Sequence, residues 1–371
     1  MIRTASSIRT LVQSLRAISS FSQTGVGARN SYNSGAVSSL QQVIRPSTYG
    51  EDEYADVDWD NLGFGITPAD YMYINQSTKD GEFHQGQLSR YGALELSPAA
   101  GVLNYGQGLY EGTKAYRKED GRLLVFRPDQ NALRMKMGAD RICMPCPSVD
   151  QFVDAVKQVA LANKRWTPPP GKGTMYIRPL LMGSGPIMGL APAPEYTFLI
   201  YCSPVGNYFK GFAPLNLYVE DEFHRATRGG AGGVKSITNY APVLKAIARA
   251  KGNGYSDVLY LDSVHKRYLE EVSSCNIFVL KGRVISTPAA IGTILQGVEE
   301  RAVAVDELAE ADEVFCTGTA VGVASVASIT YQGKRLEYKV GAETVAQQLY
   351  SILEGIKSGA IEDKKGWVVE I

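Results

Sequence analysis

After Glu51 the sequence breaks into short apolar runs bounded by turn residues, with only three amphipathic stretches among them. The runs are Leu123–Phe126, Met175–Leu181, Thr197–Cys202, Leu215–Val219, Asp257–Leu261, Cys275–Leu280 and Val314–Cys316. Their length and apolar, β-branched character predict strands. The first amphipathic stretch follows Ser148, where Ser148 and Gln151 can form a capping box and Phe152, Val156 and Val159 mark a buried face. It must end before Pro168–Pro170. The second runs near Pro242–Lys251, with proline in its first turn and Gly252 as its cap. The third uses Val345, Leu349, Ile352 and Ile356. Strands and helices mix without strict βαβ alternation, which predicts an α+β fold. No internal repeat is apparent. The glycine-, proline- and aromatic-containing stretch around 206–214 divides two halves of similar size. It predicts a linker between an N-terminal domain over 51–205 and a C-terminal domain over 215–371.

The first fifty residues stand apart. They hold five arginines (Arg3, Arg9, Arg16, Arg29, Arg45), many serines, no lysine and no acid. Ile8, Leu11, Leu15 and Ile18 recur at helical spacing, with Arg9 and Arg16 off that stripe. This is the composition of an organelle transit peptide, and arginines so early favour the mitochondrion over the chloroplast. Without this segment the chain keeps 33 basic and 38 acidic residues, a net charge of −5. The full chain is neutral, with Lys+Arg and Asp+Glu at 38 each, which argues against a nucleic-acid partner. No apolar stretch approaches the ~20 residues of a membrane span. Five cysteines are too few and odd in number for a disulfide framework. Cys143-Met-Pro-Cys146 is a lone CxxC without the second ligand pair that zinc would need, and the three histidines are scattered. No metal is expected.

The densest chemical signal is Gly229-Gly-Ala-Gly-Gly-Val-Lys235-Ser236, followed by Asn239-Tyr240. Glycines let a backbone approach a ligand closely. A lysine beside them can clamp a phosphate or serve as a Schiff-base amine. The phosphate-clamp motif needs glycine immediately before the lysine, and Val234 stands there. The amine reading needs an acid, a phosphate cup and a phenol nearby, which composition alone does not supply. A glycine-rich surface turn with a solvated lysine is the bland alternative.

The segment Arg225-Ala-Thr-Arg-Gly-Gly-Ala-Gly-Gly-Val-Lys235, then Asn239-Tyr240-Ala-Pro, resembles the lysine loop of class IV aminotransferases, and more closely that of plant branched-chain aminotransferases. Five further segments are similar to that family in order and spacing. They are Asn104-Tyr-Gly-Gln-Gly-Leu-Tyr110-Glu-Gly-Thr-Lys-Ala-Tyr, Asn131-Ala-Leu-Arg134-Met, Tyr176-Ile-Arg178-Pro, Glu271-Val-Ser-Ser-Cys-Asn-Ile-Phe and Thr317-Gly-Thr319-Ala320. The resemblance covers essentially Asp52–Ile371.

It implies fold type IV of the pyridoxal 5'-phosphate (PLP) enzymes: a small N-terminal α/β domain, a C-terminal barrel-like domain, and a homodimer. It implies transfer of the amino group of leucine, isoleucine or valine to 2-oxoglutarate. Lys235 resembles the lysine that holds PLP and shuttles the substrate proton. Glu271 matches the acid at the pyridine nitrogen, Tyr240 the phenol at the 3-oxygen, and Arg134 the phosphate arginine. Thr319 matches the phosphate hydroxyl, with Ser274 a further candidate. The amides of Thr319 and Ala320 would meet the substrate carboxylate. Phe64, Tyr105, Tyr110 and Tyr176 match an aromatic wall for aliphatic side chains, and Arg178 the partner of glutamate's second carboxylate. A D-amino-acid aminotransferase or aminodeoxychorismate lyase is the nearest enzymatic alternative. The family's redox CxxC variant is absent, since Val321-Gly-Val-Ala324 stands there.

One region departs from the family. After Gly292-Thr-Ile-Leu295, Gln296-Gly297 runs directly into Val298-Glu-Glu-Arg301. A Gly-Ile/Val-Thr-Arg turn and the helix it opens are missing. That turn would give backbone amides to the cofactor phosphate. Val298 now takes its place, and Glu299 brings a negative charge. A catalytically impaired or unstable isoform is therefore the second functional reading.

Overall fold

The computed structural model describes residues 54–206, 213–289 and 301–371. The expected transit segment, most of the expected linker, and Gly297 with Val298 lie outside them. Among the described residues, sixteen strands form two eight-stranded sheets. The first contains β1 (Tyr71–Thr78), β2 (Gln87–Arg90), β3 (Gly108–Tyr110), β4 (Thr113–Arg117), β5 (Leu123–Phe126), β6 (Thr174–Gly183), β7 (Glu195–Val205) and β16 (Val368–Glu370). Its order is β16-β5-β4-β6-β7-β1-β2, with β3 on β6 and every pairing antiparallel. The second contains β8 (Leu215–Glu220), β9 (Asp257–Leu261), β10 (Leu269–Val272), β11 (Asn276–Lys281), β12 (Val284–Ser286), β13 (Glu313–Gly318), β14 (Gly322–Tyr331) and β15 (Lys334–Glu337). Its order is β10-β9-β8-β14-β13-β11-β12, with β15 on β14. Only β8 pairs in parallel, with β9 and with β14. Two sheets with helices packed on them make the fold α+β.

Each expected apolar run falls on a strand. Strands β1 to β4, β10, β12 and β14 to β16 are short or carry mixed polar and apolar residues, and no such run marks them. Strand β6 shows how alternation prepares the site. Met175, Ile177 and Leu181 are buried on one face, which leaves Tyr176 and Arg178 together on the other.

Five helices are described: α1 (Gly101–Tyr105), α2 (Pro128–Arg141), α3 (Val149–Ala162), α4 (Leu244–Gly252) and α5 (Val345–Ser358). The capping box of Ser148 and Gln151 is present at the start of α3. Phe152, Val156 and Val159 are buried against Phe198 and Ile200 in the core of the first half. Burying each such side chain contributes roughly 1.5–3 kcal/mol. At its end, buried Asn163 accepts from the Tyr71 amide at 2.9 Å and donates to the Tyr71 carbonyl at 3.0 Å, pinning α3 to β1. Helix α4 follows a 3-10 turn that contains Pro242, and its cap is Asn253, one residue beyond the expected Gly252. In α5 the stripe Val345, Leu349, Ile352 and Ile356 is only half-buried; Ala346 and Lys357 are the buried residues. The helix packs against β13 and β14 of one sheet and β4 and β5 of the other, so no single stripe meets a single core.

The last strand of the chain returns to the first half. Strand β16 pairs with β5, Val369 opposite Val125. The expected C-terminal domain over 215–371 therefore loses its last strand to the first sheet. Three residues carry too little pattern to reveal such a return.

Candidate active site

The lysine loop lies between β8 and α4 and is held from two sides. An isolated bridge pairs Leu109 of β3 with Ser236, and the Tyr110 amide donates to the Lys235 carbonyl at 3.2 Å. Inside the loop, Asn239 Nδ2 donates to the carbonyls of Ala231 and Val234, both at 2.8 Å. The glycine-rich stretch thus has its backbone tied at both ends, and the Lys235 side chain leaves it in one direction. Its Nζ donates to Tyr240 Oη at 3.3 Å and lies 4.8 Å from the Tyr110 ring centroid. Tyr110 and Tyr240 meet edge to face at 5.0 Å. Burial and the neighbouring Tyr240 hold the Tyr110 phenol well above its ordinary range.

Glu271 enters from β10 and is fully buried. It forms an ion pair with Arg225, which is also buried and whose Nε donates to the Ser273 carbonyl at 3.3 Å. Burial pushes the Glu271 carboxyl up to about 7, against the pull of Arg225 and Lys235. The Arg225 guanidinium in turn lies 5.8 Å from the Tyr240 ring centroid. A chain of contacts therefore runs from acid to guanidinium to phenol to amine.

These groups line one cavity of about 170 Å³, together with Phe64, Tyr110, Tyr176 and Arg178 from the first half. Ser274, Thr319 and Ala320 line it from the second half, and Arg134 of α2 lines it as well. Phe64 and Tyr176 pack edge to face at 5.3 Å, and Arg178 Nη2 donates to Tyr176 Oη at 3.2 Å. Gly112 is required at this wall, because a Cβ there would fall 2.1 Å from Tyr176 Oη. A second cavity of about 300 Å³ shares Gly112, Arg134, Thr317, Gly318 and Thr319 with the first, and adds Lys114, Arg127 and Lys357. Between them the two are lined by seven cationic side chains and one carboxylate, Glu271. Such a field favours small ligands that carry phosphate or carboxylate.

Tyr105 is the one expected wall residue among the described residues that is not brought to the cavity. It ends α1, is 40% exposed, and its hydroxyl bonds the Met188 carbonyl. Val298 lies outside the described residues. Arg225 stands at the start of the lysine-loop segment, where the motif alone implies no role for it. The signal for it was available, because a buried carboxylate needs a charged or hydrogen-bonding partner.

Residues 108–329 match the amino-transferase class IV family. The chain is 64% identical to the chloroplastic branched-chain-amino-acid aminotransferase 2 of Arabidopsis thaliana, with all of both chains covered. It is 60% identical to the mitochondrial branched-chain amino acid aminotransferase 1 of Humulus lupulus, over 98% of each chain. Among solved structures it is similar to the branched-chain aminotransferase of Escherichia coli, with a TM-score of 0.69 at 24% identity over 81% of this chain and 98% of that one. The alignment with the Arabidopsis relative spans 395 positions against 371 residues here, so about 24 of them face no residue of this chain.

Lys114 gives the second cavity a pH signature. Its Nζ donates to the Ala320 carbonyl at 3.0 Å. Burial, then the neighbouring Lys357, pulls its pKa from 10.5 down to about 8, with Glu354 opposing. Below pH 8 both folded and unfolded chains carry the charge, and folding bears its full cost. Between pH 8 and 10.5 the folded state releases the proton first, so that cost fades as pH rises. Lys114→Met also loses the bond to Ala320, but that loss does not vary with pH. The stability of the variant relative to the parent is therefore expected to fall by about 1–3 kcal/mol across that range. Thermal melts of both proteins measure it, and a constant difference would contradict the assignment.

Proposed function

This chain belongs to the class IV aminotransferases, within the plant branched-chain group, and on that premise we propose that it transfers the amino group of leucine, isoleucine or valine to 2-oxoglutarate with PLP. The observation that carries the site assignment is the convergence of Lys235, Tyr240, Glu271 and Arg134 on one cavity. The four residue types suit the four polar groups of PLP. The amine suits its aldehyde, the phenol its 3-oxygen, the buried acid its pyridine nitrogen, and the guanidinium its phosphate.

When bound, PLP supplies a carbonyl that takes up the amino group and a ring that accepts the electrons left at the substrate Cα. Lys235 Nζ would hold the cofactor until the substrate's amino group displaces it, and the freed amine would then take the proton from the substrate Cα. Tyr240 Oη, 3.3 Å from that nitrogen, donates to the 3-oxygen and orients the amine. Glu271, with Arg225 compensating its buried charge, would hold the ring nitrogen of the cofactor in its protonated form. The Arg134 guanidinium and the Thr319 hydroxyl hold the phosphate, with Ser274 a further hydroxyl at the same cavity. The amides of Thr319 and Ala320 take the substrate carboxylate. Phe64, Tyr110 and Tyr176 exclude water around an aliphatic side chain. Among the described residues Arg178 Nε has no hydrogen-bond partner, which suits the second carboxylate of glutamate. Met188 and Leu190, each 87% exposed, offer an apolar surface for a second copy of the chain, as a homodimer requires.

The unmatched positions in the Arabidopsis alignment support a second reading. We place part of them after Gly297, where a turn and helix would hold the phosphate and cover the C-terminal half. A helix burying about four apolar side chains would contribute roughly 6–12 kcal/mol. Whole-domain stability is about 5–15 kcal/mol, whereas one charge-assisted phosphate contact is worth about 1.5–3 kcal/mol. The gap therefore weakens folding more than chemistry. The test is turnover of L-leucine and of D-alanine with 2-oxoglutarate, bound PLP and thermal midpoint. It is run on the chain as it stands and on a variant with a family-type turn and helix inserted after Gly297. L-leucine is expected to be the substrate, with all three values higher in the inserted variant. Equal values would show the gap to be harmless, and D-alanine turnover without L-leucine turnover would overturn the branched-chain reading.

The arginine-rich, acid-free leader supports delivery to the mitochondrion; relatives of both mitochondrial and chloroplastic description exist. A reporter fused behind residues 1–50 is expected in mitochondria. Chloroplast-only fluorescence would replace the organelle, and cytosolic fluorescence would remove the targeting role.

A further inference from the structure

We propose that Glu111 is the positioning residue for the phosphate arginine: it locks Arg134 from behind so that the free edge of the guanidinium faces the cofactor's phosphate. The proposal rests on the reading that PLP is the cofactor. Glu111 is completely buried. Its Oε1 accepts from Arg134 Nε at 2.7 Å, and its Oε2 accepts from Arg134 Nη2 at 2.6 Å. Oε2 also accepts from Asn131 Nδ2 at 2.9 Å, one turn earlier on α2. Asn131 Nδ2 further donates to the Gly112 carbonyl at 3.1 Å, and the Glu111 amide donates to the Pro179 carbonyl at 2.8 Å. The carboxylate is thus fixed by its own backbone on one side and by two residues of α2 on the other.

This fork uses Nε and Nη2 of Arg134. Among the described residues Nη1 has no protein hydrogen bond, while the side chain remains 31% accessible and lines both cavities. A paired guanidinium with one open edge is set for a bidentate or single charge-assisted contact to an anion. Without the fork, a long side chain would lose rotamer freedom only when the phosphate arrives.

Removing the carboxylate has two opposite consequences. It deletes a negative charge behind the guanidinium, which by Coulomb's law alone would favour the phosphate. It also breaks the geometry. Three donors converge on Glu111, and glutamine has a single acceptor oxygen, so one N–H of the amide must face another donor. The guanidinium must then move, and the positional loss decides the sign.

The experiment compares binding of PLP and of pyridoxal, which lacks the phosphate, to the parent and to Glu111→Gln, Arg134→Lys and the double variant. Visible absorption of the bound cofactor is the readout, with thermal midpoints alongside. Glu111→Gln is expected to weaken PLP about tenfold and pyridoxal less than about twofold. In the Arg134→Lys background the same change is expected to move PLP less than about twofold, because Glu111 acts through Arg134. Equal losses for PLP and pyridoxal, or a full loss persisting in the Arg134→Lys background, would show a merely structural role and overturn the proposal. Unchanged or tighter PLP in Glu111→Gln would overturn it as well. A parent that binds neither compound would overturn the cofactor reading itself, and the positioning role with it.

Discussion

Everything in the site depends on one short pairing, the bridge between β3 and the loop that carries Lys235. The Tyr110 amide takes the Lys235 carbonyl, and Leu109 sits opposite Ser236. Tyr110 belongs to the first sheet and Lys235 to the second half of the chain. Two backbone contacts therefore set where an amine from one half meets an aromatic wall from the other. Because Leu109 is fully buried, the bridge cannot slide without opening the core. Arg141 adds a third tie, donating to the Gly229 carbonyl at 3.0 Å.

The charges follow from that geometry. A cavity formed between two halves can collect cations that neither half would bury alone. Arg134, Arg178, Arg225 and Lys235 come together around Glu271. Two of these cations have an acid of their own: Glu111 for Arg134, and Glu271 for the buried Arg225. Glu111 thus sits behind Arg134, whose open edge faces the cavity, whereas Glu271 itself lines the cavity with Arg225 paired to it. This order keeps the buried charges paired while leaving the cavity attractive to anionic ligands.

How much of this the sequence reveals depends on the kind of residue. Lys235, Glu271, Tyr240, Arg134 and Arg178 stand in motifs whose spacing is specific, and they share one cavity. The apolar runs of β5 and β9 and the capping box of α3 are equally legible, because each depends on neighbours a few residues away. Glu111 and Arg225 were visible as letters and silent as roles. Their meaning lies in partners 23 and 46 residues distant, which only the fold brings near. Tyr105 carries the right residue type, yet α1 directs it to Met188 and away from this cavity. Strand β16 is silent for another reason: a three-residue strand gains its identity only from β5 beside it.

The central claim is that Lys235, and not another amine, is the residue to which the cofactor binds. Lys114 supplies the internal rival, since it lines the adjoining cavity and burial pulls its pKa down to about 8. A lowered pKa makes the Lys114 amine available as a nucleophile near neutral pH. Borohydride reduction of the PLP-loaded protein, followed by peptide mapping, separates the two. The account predicts a phosphopyridoxyl group on Lys235. A label on Lys114, or one spread over surface lysines with Lys235 unmodified, would contradict it.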